Sequence, residues 1–155
     1  MSLNSSSPAR KDLSAAFITH LSANGLLVGY CQAPTGGGWD KQPNLDGSKY
    51  NGYVTVWPLA ANTVSGPFED SGADWQVPYQ IISYGIDPAQ TENQSDLTRK
   101  RASALLRNVL TLDGDPWQVV QVRTNTIGAM ARNDNFEPPE FSQIDILTLW
   151  ISKEL

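Results

Sequence analysis

Any catalytic device of the Ser-His-Asp or Cys-His type in this chain must pass through His20, the sole histidine. His20 falls between Phe17 and Leu21 on the apolar side of a helical pattern, so a packed, hydrogen-bonded ring is the expected role. Cys31, the sole cysteine, reads as a small buried hydrophobe at the end of a strand. No intrachain disulfide is possible, which suits a reducing compartment. One His and one Cys cannot supply the usual zinc ligands. Asp113 and Asp115 lack the further oxygens and distal Glu of a calcium loop, and Asp113-Gly114-Asp115-Pro116 reads as a turn. Glu69, Asp70, Asp74, Glu137 and Glu140 could in principle form the paired carboxylates of a glycosidase. They fall in loops beside proline or glycine, where solvated charge is the expectation. Gly36-Gly37-Gly38 has no Lys-Ser/Thr after it and opens no helix, so it is not a phosphate loop. The residues therefore predict no catalytic group, no metal and no cofactor.

The elements that carry these residues fit one domain. The chain has 155 residues, 40% hydrophobic and 17% charged, which is globular rather than disordered composition. Residues 1–7 read as a flexible N-terminal tail and 8–155 as the domain. The Ser-rich start has no apolar signal-peptide core, and no apolar run approaches the ~18 residues of a membrane span, so a soluble protein made in a cytoplasm is expected. The formal net charge of −5 runs against phosphate gripping.

Spacing predicts a helix over Pro8–Asn24, with Leu13, Ala16, Phe17, His20 and Leu21 on one face. A short strand, Leu26–Tyr30, follows. Residues 32–52 lose periodicity and read as a long loop with room for a hairpin tip. Tyr53–Leu59 and Trp75–Tyr84 read as strands, with Ala60–Asp74 irregular between them. Thr98, Ala102, Leu105, Val109 and Leu112 advance by fours and threes, which predicts a second helix over 91–110. Trp117–Arg123 is a strand, Thr126–Glu140 a third long connection, and Phe141–Ser152 the last strand. The fold class expected is α+β: a mostly antiparallel sheet of about five strands packed by two helices, in the order α-β-β-β-α-β-β with long loops.

Two features point toward a partner surface. Trp39 and Tyr50 place large rings in the Gly-rich 32–52 loop. Arg99, Lys100, Arg101 and Arg107 gather four of the 11 basic residues on the second helix, while acids cluster in loops. A basic face meeting the acidic loops of the next copy would build a ring.

The order of elements resembles the tail-terminator family of long-tailed bacteriophages, the group that includes the lambda tail terminator. The likeness rests on the helix over 8–24 leading into Leu26–Tyr30, and on the strand ending Trp57-Pro58-Leu59. It rests also on Trp75–Tyr84 leading into an Ala-, Leu- and Arg-rich helix over 96–109, and on the closing strand Ile144-Asp145-Ile146-Leu147-Thr148-Leu149-Trp150. It covers about Pro8–Ile151, and the 32–52 loop has no counterpart in it. The resemblance implies a structural virion protein without an active site, made in the host cytoplasm and placed at the head–tail junction. It implies a six-membered ring of identical subunits that caps the tail tube, stops its growth and meets the head-completion or connector proteins. DNA would pass through the lumen without specific binding, and no membrane is involved. On this reading Trp39, Tyr50, Arg99 and Arg107 are assembly-interface residues. The alternatives are another connector component, either a stopper or a tail-tube subunit, or a small ligand- or sugar-binding domain using the 5 Trp and 5 Tyr.

Overall fold

The computed structural model describes residues 7–63 and 74–153. Its elements are α1 (Arg10–Leu21), β1 (Val28–Tyr30), β2 (Gly38–Trp39), β3 (Tyr50–Asn51), β4 (Tyr53–Pro58), β5 (Asn62–Thr63), β6 (Asp74–Gly85), α2 (Pro88–Ser103), β7 (Val109–Leu112), β8 (Asp115–Asn133) and β9 (Glu140–Lys153). Glu69 and Asp70 lie outside the described residues.

The sheet corrects the expected fold class. Seven strands, not about five, form one sheet in the order β1-β4-β6-β9-β8-β7, with β5 added beside β6. It is mixed rather than mostly antiparallel in design, because β1 runs parallel to β4 at its edge. The sheet curls into a half-barrel, and strand accounts for 47% of the described residues. Much of the excess lies in β8, which continues to Asn133 where a connection over Thr126–Glu140 was expected. That stretch is exposed almost throughout, so no buried face imposes an apolar–polar alternation on its sequence.

β6 and β9 are the centre of the sheet, with all of β6 paired to Phe141–Ser152 of β9. On one face they bury Val77, Tyr79, Ile81, Leu147, Leu149 and Ile151. Both helices cover this face. α1 drives in Leu13, Phe17 and Leu21, none of them exposed, and the Phe17 ring lies 4.9 Å from that of Tyr79. The Tyr79 and Ser14 hydroxyls are 2.8 Å apart, which satisfies both polar groups at the buried end of that contact.

α2 starts at a legible signal. Asp87 caps it by accepting from the Gln90 N–H at 2.7 Å, with Pro88 in the first turn. It ends at Ser103, earlier than the spacing predicts. The chain turns through 104–108, with Arg107 in the left-handed region at φ 72°. Val109 and Leu112 then belong to β7 and not to the helical stripe. The two helices are clasped at their ends. His20 Nε2–H donates to the Arg101 carbonyl at 2.7 Å, and Arg101 donates to the Leu21 carbonyl at 2.7 Å and also to that of Ala23. Each helix thus sends a side chain to carbonyls at or just past the C-terminal end of the other.

Replacing Phe17 by Ala removes a ring from the α1–β6 contact. A loss of about 3–5 kcal/mol in unfolding free energy is expected, read as a lower urea midpoint at unchanged slope.

Candidate functional site

β9 carries aliphatic residues on both faces, but Asp145 interrupts the buried one. Its carboxylate is only 1% exposed. Donors from three elements converge on it. From α2, Ser95 donates to Oδ2 and Arg99 Nη1 lies 3.2 Å from the same oxygen. From β9 itself, Gln143 Nε2 donates to Oδ1 at 3.3 Å and to the Ser95 hydroxyl at 3.2 Å. From a bulge in β8, the Gly128 N–H donates to Oδ1 at 3.2 Å. A Cβ at Gly128 would sit 2.0 Å from the Ile144 carbonyl oxygen, so the bulge can approach this closely only without a side chain. Arg99 completes the network by also pairing with Asp96 and donating to Ser95. An ion of this burial is tolerated only when paired and hydrogen-bonded, and this one is fully supplied. Ser95 is wholly buried, and its hydroxyl is engaged by Asp145, Arg99 and Gln143.

A second cluster holds the segment between β1 and β4. The Trp39 ring on β2 meets the Tyr50 ring on β3 edge-on at 5.5 Å, and Tyr50 donates its hydroxyl to Glu140 at 2.7 Å. Tyr53 stacks on Tyr84 at 4.7 Å, and the Gly37 backbone comes so close to the Tyr53 side chain that a Cβ there would fall within 2.9 Å of it. Burial, with the Glu140 hydrogen bond and charge behind it, holds the Tyr50 phenol well above its ordinary value. Burial and then the Glu140 charge push Tyr53 up to about 12. Burial also raises Tyr84.

These contacts place the residues singled out in the sequence. Tyr50 is 7% exposed and Trp39 half-buried against it. Arg99 faces inward to Asp145. Arg107 is exposed in the turn after α2, and Lys100 is exposed on the helix. Of the basic residues on α2, Arg99 and Arg101 are thus engaged within the chain. Among the acids, Asp134 pairs with Arg132 at 2.6 Å and Asp74 accepts from Ser152 at 2.6 Å. Among the described residues no group of three or more His, Cys, Asp or Glu gathers to hold a metal, and no helix is long and apolar enough to cross a membrane. Sequence reasoning missed Ser95, Gln143 and Asp145. The available signal was the placement of Gln143 and Asp145 in phase with Leu147, Leu149 and Ile151.

Two edges of the sheet are open among the described residues. β7 pairs with β8 only as far as Gln118, and Val119 exchanges backbone hydrogen bonds with Arg107 and Asn108 at 2.7 and 2.9 Å. From Val120 to Asn133, no strand lies beyond β8 among the described residues. At the other side, β1 pairs only with β4 among the described residues. Beside it, an open groove of about 700 Å³ runs between α1 and Tyr30.

No family model and no curated protein matches this chain in sequence. Solved structures do. A chain from the virion of a native gene transfer agent particle aligns with a TM-score of 0.60 and 16% identity, over 93% of this chain and 97% of that one. The fold is shared. A second solved structure, known by a sequence identifier alone, aligns with a TM-score of 0.50 and 11% identity, over 94% and 93% of the two chains.

Two outcomes test the geometry. Asp145→Ala leaves Arg99 without its buried partner, and a loss of about 3–5 kcal/mol is expected. The Arg99→Met/Asp145→Leu pair should cost clearly less than the sum of its single changes in a double-mutant cycle. The tyrosines give a pH dependence. Their folded pKa lies above the unfolded value near 10, so the unfolded chain loses its protons first. That contribution to stability is complete below pH 10 and falls away as pH rises toward 12. Absorbance of the phenolate at 295 nm should show Tyr53 ionising late, and Glu140→Gln should bring its midpoint down.

Proposed function

We propose that this chain is a structural virion protein, and that it forms the ring that caps a phage-like tail tube, stops its growth and joins it to the head-completion proteins. The observation that carries the virion reading is the end-to-end likeness to a chain of the gene transfer agent virion, which covers nearly the whole of both chains. The finer tail-cap role is supported by the element order, from the N-terminal amphipathic helix to the long closing strand. An active site is not part of this reading: the sole histidine holds a helix end, and the most buried hydroxyl–carboxylate–cation cluster is turned inward. The net charge of −5 suits a lumen that DNA crosses without adhering.

On this reading Arg107, exposed after α2, and Trp39, at the outer side of the aromatic cluster, remain interface candidates. Arg99 and Tyr50 act there indirectly, by holding the elements that carry them. Arg107 is therefore the better probe, because a change at Arg99 also unpairs Asp145.

Light scattering and negative-stain imaging of the concentrated full-length protein should show a closed ring of about six subunits with a central hole, since head-to-tail contacts close when the rotation permits. Arg107→Glu should weaken the ring while leaving thermal unfolding of the subunit within about 0.5 kcal/mol. In particles lacking the protein, tails of unregulated length are expected. Tails of normal length would sink the tail-cap role and favour a stopper or another connector part.

A further inference from the structure

Exposed strand edges are normally shielded by charge, proline or brevity, because their free N–H and C=O groups recruit any other strand. The edge of β8 has little such shielding. From Val120 to Asn133 it has no proline and no carboxylate, and its only charges are Arg123 and Arg132. It is rich in Val, Thr and Ile, which favour sheet. Its register shifts against β9 bend the strand but leave its outer edge open. Val120 and Ile127 stand 40% and 58% exposed along it.

The opposite edge of the same sheet has the matching chemistry. β1 is bonded to β4 on one side, through Leu27 and Cys31 at its ends, which turns Val28 and Tyr30 toward the open side. The groove next to it is lined by Lys11, Ser14, Ala15, Ile18, Thr19 and Tyr30, and is mainly apolar.

We infer that the open edge of β8 in one copy adds to the open edge of β1 in a second copy, so that the sheet runs on from subunit to subunit. The exposed aliphatic side chains of β8 seat in the groove between α1 and Tyr30. The occupant is another copy of this chain because each copy brings one donor edge and one acceptor edge, both uncovered among the described residues. Such pairing is head to tail, and it repeats without a two-fold axis. β1 is the shorter edge and takes only part of β8. This inference rests on the ring reading above and gives it a contact surface.

Cys31 supplies the test. It is exposed and sits at the end of β1. Single substitutions Gln121→Cys, Arg123→Cys, Ala129→Cys and Ala131→Cys are made in the full-length chain. Each variant is concentrated, oxidised with diamide and run on a non-reducing gel. At least one position should give a ladder extending beyond the dimer, and adding Cys31→Ser should abolish it. A dimer that survives Cys31→Ser would mean that β8 meets β8, and would overturn the inference, as would the absence of cross-links at every position. Imaging separates the two readings. Closed rings without a Cys31-dependent ladder would remove the edge pairing and leave the ring. A Cys31-dependent ladder on open filaments would keep the edge pairing and remove the terminating ring.

Discussion

A buried carboxylate with donors from three directions sets the register of this fold. The strand period is two, so a slip of one residue in β9 would turn every side chain to the opposite face. Hydrophobicity alone decides poorly between the two registers, because Ile144 and Ile146 on one face rival Leu147, Leu149 and Ile151 on the other. Asp145 and Gln143 break the tie. Turned the other way, they would leave Ser95 and Arg99 of α2 facing aliphatic side chains. The Gly128 N–H would also lose its acceptor. The position of α2, the bulge of β8 and the pairing of β9 are therefore one choice made by one ionic network. Its net stabilisation is small for its gross strength, as is usual for buried ions, and its larger effect is on which sheet forms.

Where burial imposed a pattern, that pattern could be read from the residues. α1, β4, β6 and β9 were all anticipated within a few residues, since each alternates or repeats against the core. The strand at Val109–Leu112 was misread for an instructive reason. Leu105 and Leu112 are both buried, and their spacing continues the stripe begun by Thr98 and Ala102, although the chain leaves the helix between them. The distal half of β8 was read as a connection because its side chains are exposed almost throughout, so burial imposes no alternation on them. The ordering of the segment between β1 and β4 was also hidden. It depends on Gly37, Tyr53, Tyr84 and Glu140, which come together only after β4, β6 and β9 have paired.

The same chain of dependence separates what is rigid from what is available for contact. The apolar face is closed by two helices that satisfy one another's ends through His20 and Arg101. Among the described residues the other face has no helix, and its β6 and β9 residues, among them Ile82, Tyr84, Ile146 and Trp150, are only half-buried. A curled sheet that stops short of a closed barrel keeps two edges, and closure would have removed both.

The aromatic clamp around Tyr53 has a consequence for recognition. The stretch from Pro34 to Asn51 contains four of the 12 glycines and two prolines and favours no single shape by itself, yet it is pinned at Gly37 and again at Tyr50. Much of its conformational entropy is thus given up during folding of the subunit, before any encounter. A partner that touches Trp39 would meet a preformed surface, so that association there would proceed close to rigid-body docking, and affinity would not be diminished by ordering a coil at the moment of contact.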